Sequence, residues 1–257
     1  MIVRAEHRQH AHRVRLEWGV EGVALLAAEC AAVVVVDVLS FCTAVDVAVG
    51  HGATVLPQRT SGGSTPPGGG PPGTAQRNDD HAAAAREAID RGAMPAGDRH
   101  GCGPSLRPSS LVGLAPGTKL ALPSPNGATL CAAAASTVLF AGCLRNASAV
   151  AAAVRDVDGP VGLVPAGERW PDGTMRVAVE DALGAGAIAA ALDDRSPETD
   201  AAVDLFTATR ARGLHAVLGG LASGRELIAD GFAADVDLAA ELNVSRAAPR
   251  MRDGFLT

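Results

Sequence analysis

The segment Ala32-Val33-Val34-Val35-Val36-Asp37-Val38-Leu39-Ser40-Phe41-Cys42-Thr43 predicts a strand, a turn and a helix in immediate succession. Four consecutive β-branched residues suit a strand covered on both faces, as in a parallel sheet, and an acid directly after them stands where such a strand leaves the core. In open α/β sheets ligands bind beyond the carboxyl ends of the strands, so Asp37 is the first candidate for chemistry. The plainer reading of Asp37 is an N-cap for the helix expected from about Thr43.

Working outward, residues 14–18 alternate apolar and charged side chains and read as a first strand, followed by a short helix over 20–29. On the other side, the helical stretch 43–49 stops at Gly50-His51-Gly52, and 53–56 reads as a short strand closed by Pro57. Together these predict a βαβ unit with a right-handed crossover. Residues 58–80 then turn abruptly to Ser, Gly, Pro and Thr, a composition too polar to offset its chain entropy, and are expected to be a flexible loop. A phosphate-cradling P-loop would need a following Lys and Ser/Thr, which are missing.

Further along, strands at 119–122, 137–140 and 161–164 are each followed by small or polar residues and then by helix. The residues after them include Asn126-Gly127, Arg145-Asn146 and Glu168, and a later helix opens with Glu180-Asp181. Strands alternating with helices argue for a mainly parallel sheet covered on both faces. If the strands lie side by side, Asp37, Asn126, Asn146 and Glu168 emerge at one edge.

Composition narrows the function. The chain has 257 residues, enough for one large α/β domain or two lobes, and is read as a single domain. Its formal charge of −6 comes from interspersed acids and bases, and it has only 3% aromatic residues, so neither a basic face nor a base-stacking platform for nucleic acid is visible. Five scattered cysteines without a CxxC pair, no secretory signal and no apolar run of membrane-spanning length point to a cytoplasmic protein without a membrane partner. Small-residue helices often pair, so a homodimer is expected.

Helix starts near Thr43, Gly127 and Ala147 would aim free backbone N–H groups at the edge, which suits an anion such as phosphate. Asp37, Glu168, Glu180 and Asp181 supply hard oxygen ligands suited to Mg²⁺ held jointly with a substrate phosphate. Three look-alikes fail. The haloacid-dehalogenase pattern needs a second acid where Leu39 stands, and Cys102 to Arg107 is one residue short of a tyrosine-phosphatase loop. Gly184-Ala185-Gly186-Ala187-Ile188-Ala189 fits the loose dinucleotide fingerprint but follows Glu180-Asp181 in a helical pattern, where small residues serve helix packing. Cys42, with no His fixed nearby, reads as a buried small residue.

The same stretches carry a family resemblance. The valine run with Asp37 and Thr43, Ser124-Pro125-Asn126-Gly127, Arg145-Asn146-Ala147, Ala166-Gly167-Glu168, Glu180-Asp181 and the C-terminal Ser223-Gly224-Arg225-Glu226-Leu227 resemble the 2-phosphosulfolactate phosphatase family. The resemblance implies a three-layer α/β/α fold with a mainly parallel or mixed sheet. It also implies Mg²⁺-dependent hydrolysis of a small phosphorylated 2-hydroxy acid, 2-phosphosulfolactate, to sulfolactate and phosphate, a step of coenzyme M biosynthesis in some organisms. On this basis Asp37 with Glu180 and Asp181 is expected to hold Mg²⁺, Asp37 and Glu168 to be catalytic, and Thr43, Asn126, Gly127, Arg145 and Asn146 to bind substrate. Family members commonly carry Arg-Ala-Ser-Thr where this chain has Ser40-Phe41-Cys42-Thr43, which removes a guanidinium suited to phosphate or sulfonate. Arg99 and Arg145 are the candidates to supply that charge from neighbouring loops, and a non-catalytic binder of a phosphorylated or sulfonated metabolite is the alternative.

Overall fold

Strand β1 (Val14–Leu16) runs through helix α1 (Gly19–Glu29) into β2 (Ala32–Val36), and α2 (Phe41–Gly50) carries the chain on to β3 (Thr54–Arg59). The computed structural model describes residues 4–59, 74–134 and 137–257. After α3 (Thr74–Asp90) and a short β4 (Met94–Pro95) come β5 (Lys119–Ser124), α4 (Gly127–Ala133), β6 (Val138–Gly142), α5 (Ala147–Arg155) and β7 (Val161–Pro165). A small ribbon of β8 (Glu168–Arg169) and β9 (Met175–Arg176) precedes α6 (Val179–Ala189). Four helices follow, α7 (Pro197–Arg212), α8 (Leu214–Gly220), α9 (Ala222–Ala229) and α10 (Ala233–Ala239), and the chain closes with β10 (Met251–Arg252) and β11 (Phe255–Leu256).

The result is a mixed α/β architecture of the three-layer α/β/α type. One sheet is all parallel in the order β1-β7-β2-β6; the other, β10-β11-β3-β5-β4, mixes parallel and antiparallel pairs. The valine run is the centre of the first sheet: β2 pairs along its whole length with β6 on one side and β7 on the other. None of its five residues is exposed. α1, α4 and α6 contact it, so the β-branched side chains are covered by helix.

The expected βαβ unit does not form. β2 and β3 lie in different sheets, because both edges of β2 are occupied by strands from later in the chain while β3 pairs with β5 and β11. α2 is therefore a bridge between sheets. Pro57 does not close β3 but stands inside it, opposite Leu122 of β5. The carboxyl-terminal segment ties the sheets together a second time. Ala141 on β6 donates its N–H to the Pro249 carbonyl at 2.9 Å, and seven residues later Leu256 pairs with Val55 on β3.

Of the 58–80 stretch read as a loop, residues 60–73 lie outside the described residues. Its flanks are element, not loop: Gln58 is a buried residue of β3 whose amide donates to the Ala84 carbonyl at 2.6 Å, and α3 starts at Thr74. The glycine-rich run at 184–189 sits inside α6, as expected of a packing helix. A Cβ at Gly184 would stand 2.7 Å from Val38 and 2.8 Å from Val36, and one at Gly186 would run into the Ala202 carbonyl of α7. These close approaches bring the head of α6, with its acids, against the end of β2. No helix among the described residues is long and apolar enough to cross a membrane.

Candidate active site

Three turns and one helix head meet where the two sheets abut. Asp37 follows the last residue of β2 and is almost fully buried. Its Oδ1 accepts the Phe41 N–H at 3.1 Å, which fixes the first turn of α2, and its Oδ2 accepts the Gly127 N–H at 3.1 Å from the start of α4. Asp37 thus caps the first turn of α2 from outside the N-cap residue, Ser40, and not from the N-cap position itself. Gly127 has to be glycine: a Cβ there would collide with the Phe41 ring and lie 2.9 Å from Asp37 Oδ2.

Asp181, in the first turn of α6, clamps the turns after two adjacent strands. Its Oδ1 accepts the Val38 N–H at 2.8 Å and its Oδ2 the Gly167 N–H at 2.9 Å, which aligns the exits of β2 and β7. Gly167 adopts a left-handed φ of 69°, a conformation natural to glycine, and swings the chain so that Glu168 returns toward β2. Glu168 Oε2 accepts from Asn126 Nδ2 at 2.9 Å, joining the end of β7 to the end of β5. Glu180, buried beside Asp181, adds a fourth carboxylate.

The electrostatics follow from this crowding. Burial pushes the Asp37 carboxyl up to about 7, helped by the charges of Glu168 and Glu180 and opposed by the two N–H donors. Burial, then Asp37 and Glu180, drive Asp181 well above the carboxylate range. Glu168 is raised as well, chiefly by burial and also by Glu180, against the Asn126 hydrogen bond and the Arg176 charge. Among the described residues none of the four carboxylates forms an ion pair with Lys, Arg or His. Like charges held together out of water demand protons or a cation.

This donor set fits Mg²⁺. Among the described residues no three His, Cys, Asp or Glu side chains stand as a ready-made ion cage, but Mg²⁺ keeps several waters and needs only one or two carboxylates plus substrate phosphate. A small cleft lined by Gly19, Asn126, Ala166, Glu168, Arg169 and Met175 reaches one of these carboxylates, Glu168.

Not every residue expected at the site is brought there. Thr43 is fully buried and donates its hydroxyl to the Val38 carbonyl at 2.8 Å, so it braces the turn after β2. Asn146 is likewise buried; its Oδ1 accepts the Cys143 N–H at 2.9 Å and its Nδ2 donates to the Ala141 carbonyl, which shapes the turn from β6 to α5. Arg145 Nε binds Asp46 Oδ2 at 2.9 Å and its Nη1 binds Glu241, committing the guanidinium away from Asp37. The Gly127 N–H is taken by Asp37. Polar residues after strands serve structure as readily as ligands: Thr43 and Asn146 are taken up by turn contacts and Arg145 by a long-range ion pair. Cys42 is fully buried, its thiol donating to the Val35 carbonyl, and burial pushes its pKa well above the usual thiol range.

Arg99 does reach the site. Its Nη1 and Nη2 lie 3.5 and 3.4 Å from the Ser40 hydroxyl, in the turn that begins at Asp37. Burial lowers its pKa, and the charges of Asp235, Asp37 and Glu168 act against that fall. No local sequence pattern marks Arg176, Phe232 or Asp235 as residues of this region.

An α/β fold with carboxylates gathered at strand ends, in a chain matched to a phosphatase family, is that of a phosphoric monoester hydrolase. The chain belongs to the 2-phosphosulpholactate phosphatase family, whose model matches residues 79–254. That span holds Asn126, Gly127, Glu168, Glu180 and Asp181 and begins after Asp37. No curated protein matches the chain.

Proposed function

We propose that the chain hydrolyses 2-phosphosulfolactate to sulfolactate and phosphate in a Mg²⁺-dependent reaction, with Asp37, Glu180 and Asp181 around the ion. The observation that carries this reading is the meeting of four buried or half-buried carboxylates after β2 and β7 and at the head of α6, with no ion pair to Lys, Arg or His among the described residues. A bound Mg²⁺ would supply positive charge to the non-bridging phosphoryl oxygens.

The chain's own groups do the rest. Asp181 holds the exits of β2 and β7 in register, so the acids cannot relax apart as substrate enters. Hydrolysis forms a bond from water oxygen to phosphorus and breaks the ester P–O bond; the attacking water gives up a proton and the leaving alkoxide gains one. Glu168, with one oxygen tied to Asn126 and its pKa raised, is the group to move that proton. The amide of Asn126 also fixes which Glu168 oxygen stays free.

The test is phosphate release from 2-phosphosulfolactate and a panel of other phosphorylated 2-hydroxy acids, with Mg²⁺ and with a chelator. Fastest release from 2-phosphosulfolactate, lost on chelation, is expected. No release from any substrate, or release that ignores the chelator, would refute the assignment. Retained binding without turnover would select the alternative of a metabolite binder.

A further inference from the structure

Beside the carboxylate cluster stands a second feature that phosphate hydrolysis alone does not need. The Arg99 guanidinium carbon lies 5.6 Å and that of Arg107 5.7 Å from the centre of the same ring, Phe232, and the His100 ring stands 5.1 Å from it. Phe232 is itself buried, so it forms a fixed apolar floor for the two half-buried arginines. Cation–π contact holds a guanidinium in place without consuming its N–H donors.

Those donors are only lightly used. Arg99 has just the long contacts to Ser40, and Arg107 bonds the Ser105 hydroxyl at 3.3 Å and the Gly101 carbonyl at 3.0 Å. Neither forms an ion pair among the described residues. The carboxylate that acts most on Arg99 is Asp235; it is fully buried, takes the Ser109 N–H at 2.8 Å on Oδ1, and leaves Oδ2 without a partner among the described residues. Asp235, Asp37 and Glu168 act on Arg99 through their charge but none pairs with it, so its guanidinium fork stays open beside Ser40, and a planar fork matches a two-oxygen acid group.

A phosphorylated 2-hydroxy acid brings at least one anionic group besides its phosphate. That group would be repelled by Asp37, Glu168, Glu180 and Asp181 unless a cation met it. We propose that Arg99 and Arg107, seated on Phe232, form the subsite for the substrate's non-phosphate acid group and so set selectivity for acid-bearing esters over simple phosphomonoesters. This deepens the phosphatase reading and rests on it.

Isothermal titration of the full chain with sulfolactate, which has the acid groups but no phosphate, isolates the subsite. Arg99→Gln should weaken sulfolactate binding by ~10–100-fold, the loss typical of a charge-assisted bond, and Arg107→Gln should weaken it by a smaller factor. The ratio of kcat/KM for 2-phosphosulfolactate over p-nitrophenyl phosphate should fall about tenfold or more in Arg99→Gln, with Arg99→Lys in between. Titration with lactate and with 2-hydroxyethanesulfonate tells whether carboxylate or sulfonate is the group held. Should Arg99→Gln not fold, Arg107→Gln reads the same ratio from the loop. Unchanged sulfolactate binding and an unchanged ratio in these variants, or no sulfolactate binding by the parent chain, would overturn the subsite. Arg99-dependent binding without phosphate release by the parent chain would instead sink the phosphatase reading and leave the subsite standing.

Discussion

The Gly127 N–H donates to Asp37 Oδ2 at 3.1 Å, so one hydrogen bond joins the ends of strands that belong to different sheets. The α2 bridge and the carboxyl-terminal segment hold the sheets together elsewhere, but this bond is made inside the site. It couples the geometry of the acid cluster to the fit between the two sheets.

Gly127→Ala tests that coupling. A methyl group would strike the Phe41 ring and crowd Asp37 Oδ2, and neither can retreat, since Phe41 is fully buried and Asp37 is anchored at both oxygens. Overpacking of this kind costs about 1–3 kcal/mol. The urea midpoint should drop accordingly and phosphate release should fall with it. A variant with the parent's midpoint and turnover would show that the sheets do not need this bond.

Asp37→Asn should remove phosphate release by about a thousandfold, comparable to losing a key electrostatic stabiliser, and should abolish the rise in melting temperature caused by Mg²⁺. The amide must point its NH₂ at either the Phe41 or the Gly127 N–H, losing one bond. It also removes a charge that burial and two neighbouring acids make unfavourable, and these effects oppose each other, so the fold should survive. Melting curves and phosphate release on the same preparation decide it. Mg²⁺-responsive melting in the variant would place the ion elsewhere.

Stability should depend on pH in a direction unusual for acids. The Asp37 carboxyl has a higher pKa folded, about 7, than its ordinary 3.8, so the folded chain holds the proton more tightly. That stabilisation is complete below the ordinary value and is lost as pH rises through about 7; Glu168 and Asp181 shift in the same direction. In chelator, the melting temperature should therefore be higher at pH 6 than at pH 8. Mg²⁺ prefers the ionised carboxylates and should raise the melting temperature more at pH 8. A larger Mg²⁺ effect at pH 6 would contradict this assignment of the cluster.

The sequence foretold some of these relationships better than others. The valine run announced a covered strand because β-branched side chains suit that environment, and Asp37 marked the strand's end, where two backbone N–H groups hold its buried carboxylate. It did not announce two sheets, since burial on both faces says nothing about which strands supply the neighbours. Nor did it separate Asn126 from Asn146. Both follow strands, yet Asn126 donates across to Glu168 while Asn146 bonds only within its own turn, and that difference depends on contacts 42 and 3–5 residues away in sequence. Arg99 reaches Ser40 over a separation of 59 residues, which no local pattern encodes.

Arg145 offers the contrast that separates a structural arginine from a substrate-binding one. Asp46 is buried, pushed up in pKa chiefly by burial, and already has one oxygen without a partner among the described residues; Ser245 and Arg145 act against that rise and stabilise its charge. Arg145→Gln removes that counter-charge and leaves the carboxylate stranded, a change that costs about 3 kcal/mol when a buried pair loses one member. The melting temperature should fall by several degrees, and the loss should be partly relieved at low pH, where Asp46 protonates. Because the guanidinium is committed to Asp46 and Glu241, KM for the phosphorylated substrate should stay near the parent value. A large rise in KM at unchanged stability would put Arg145 back among the substrate-binding residues that its place after β6 first suggested.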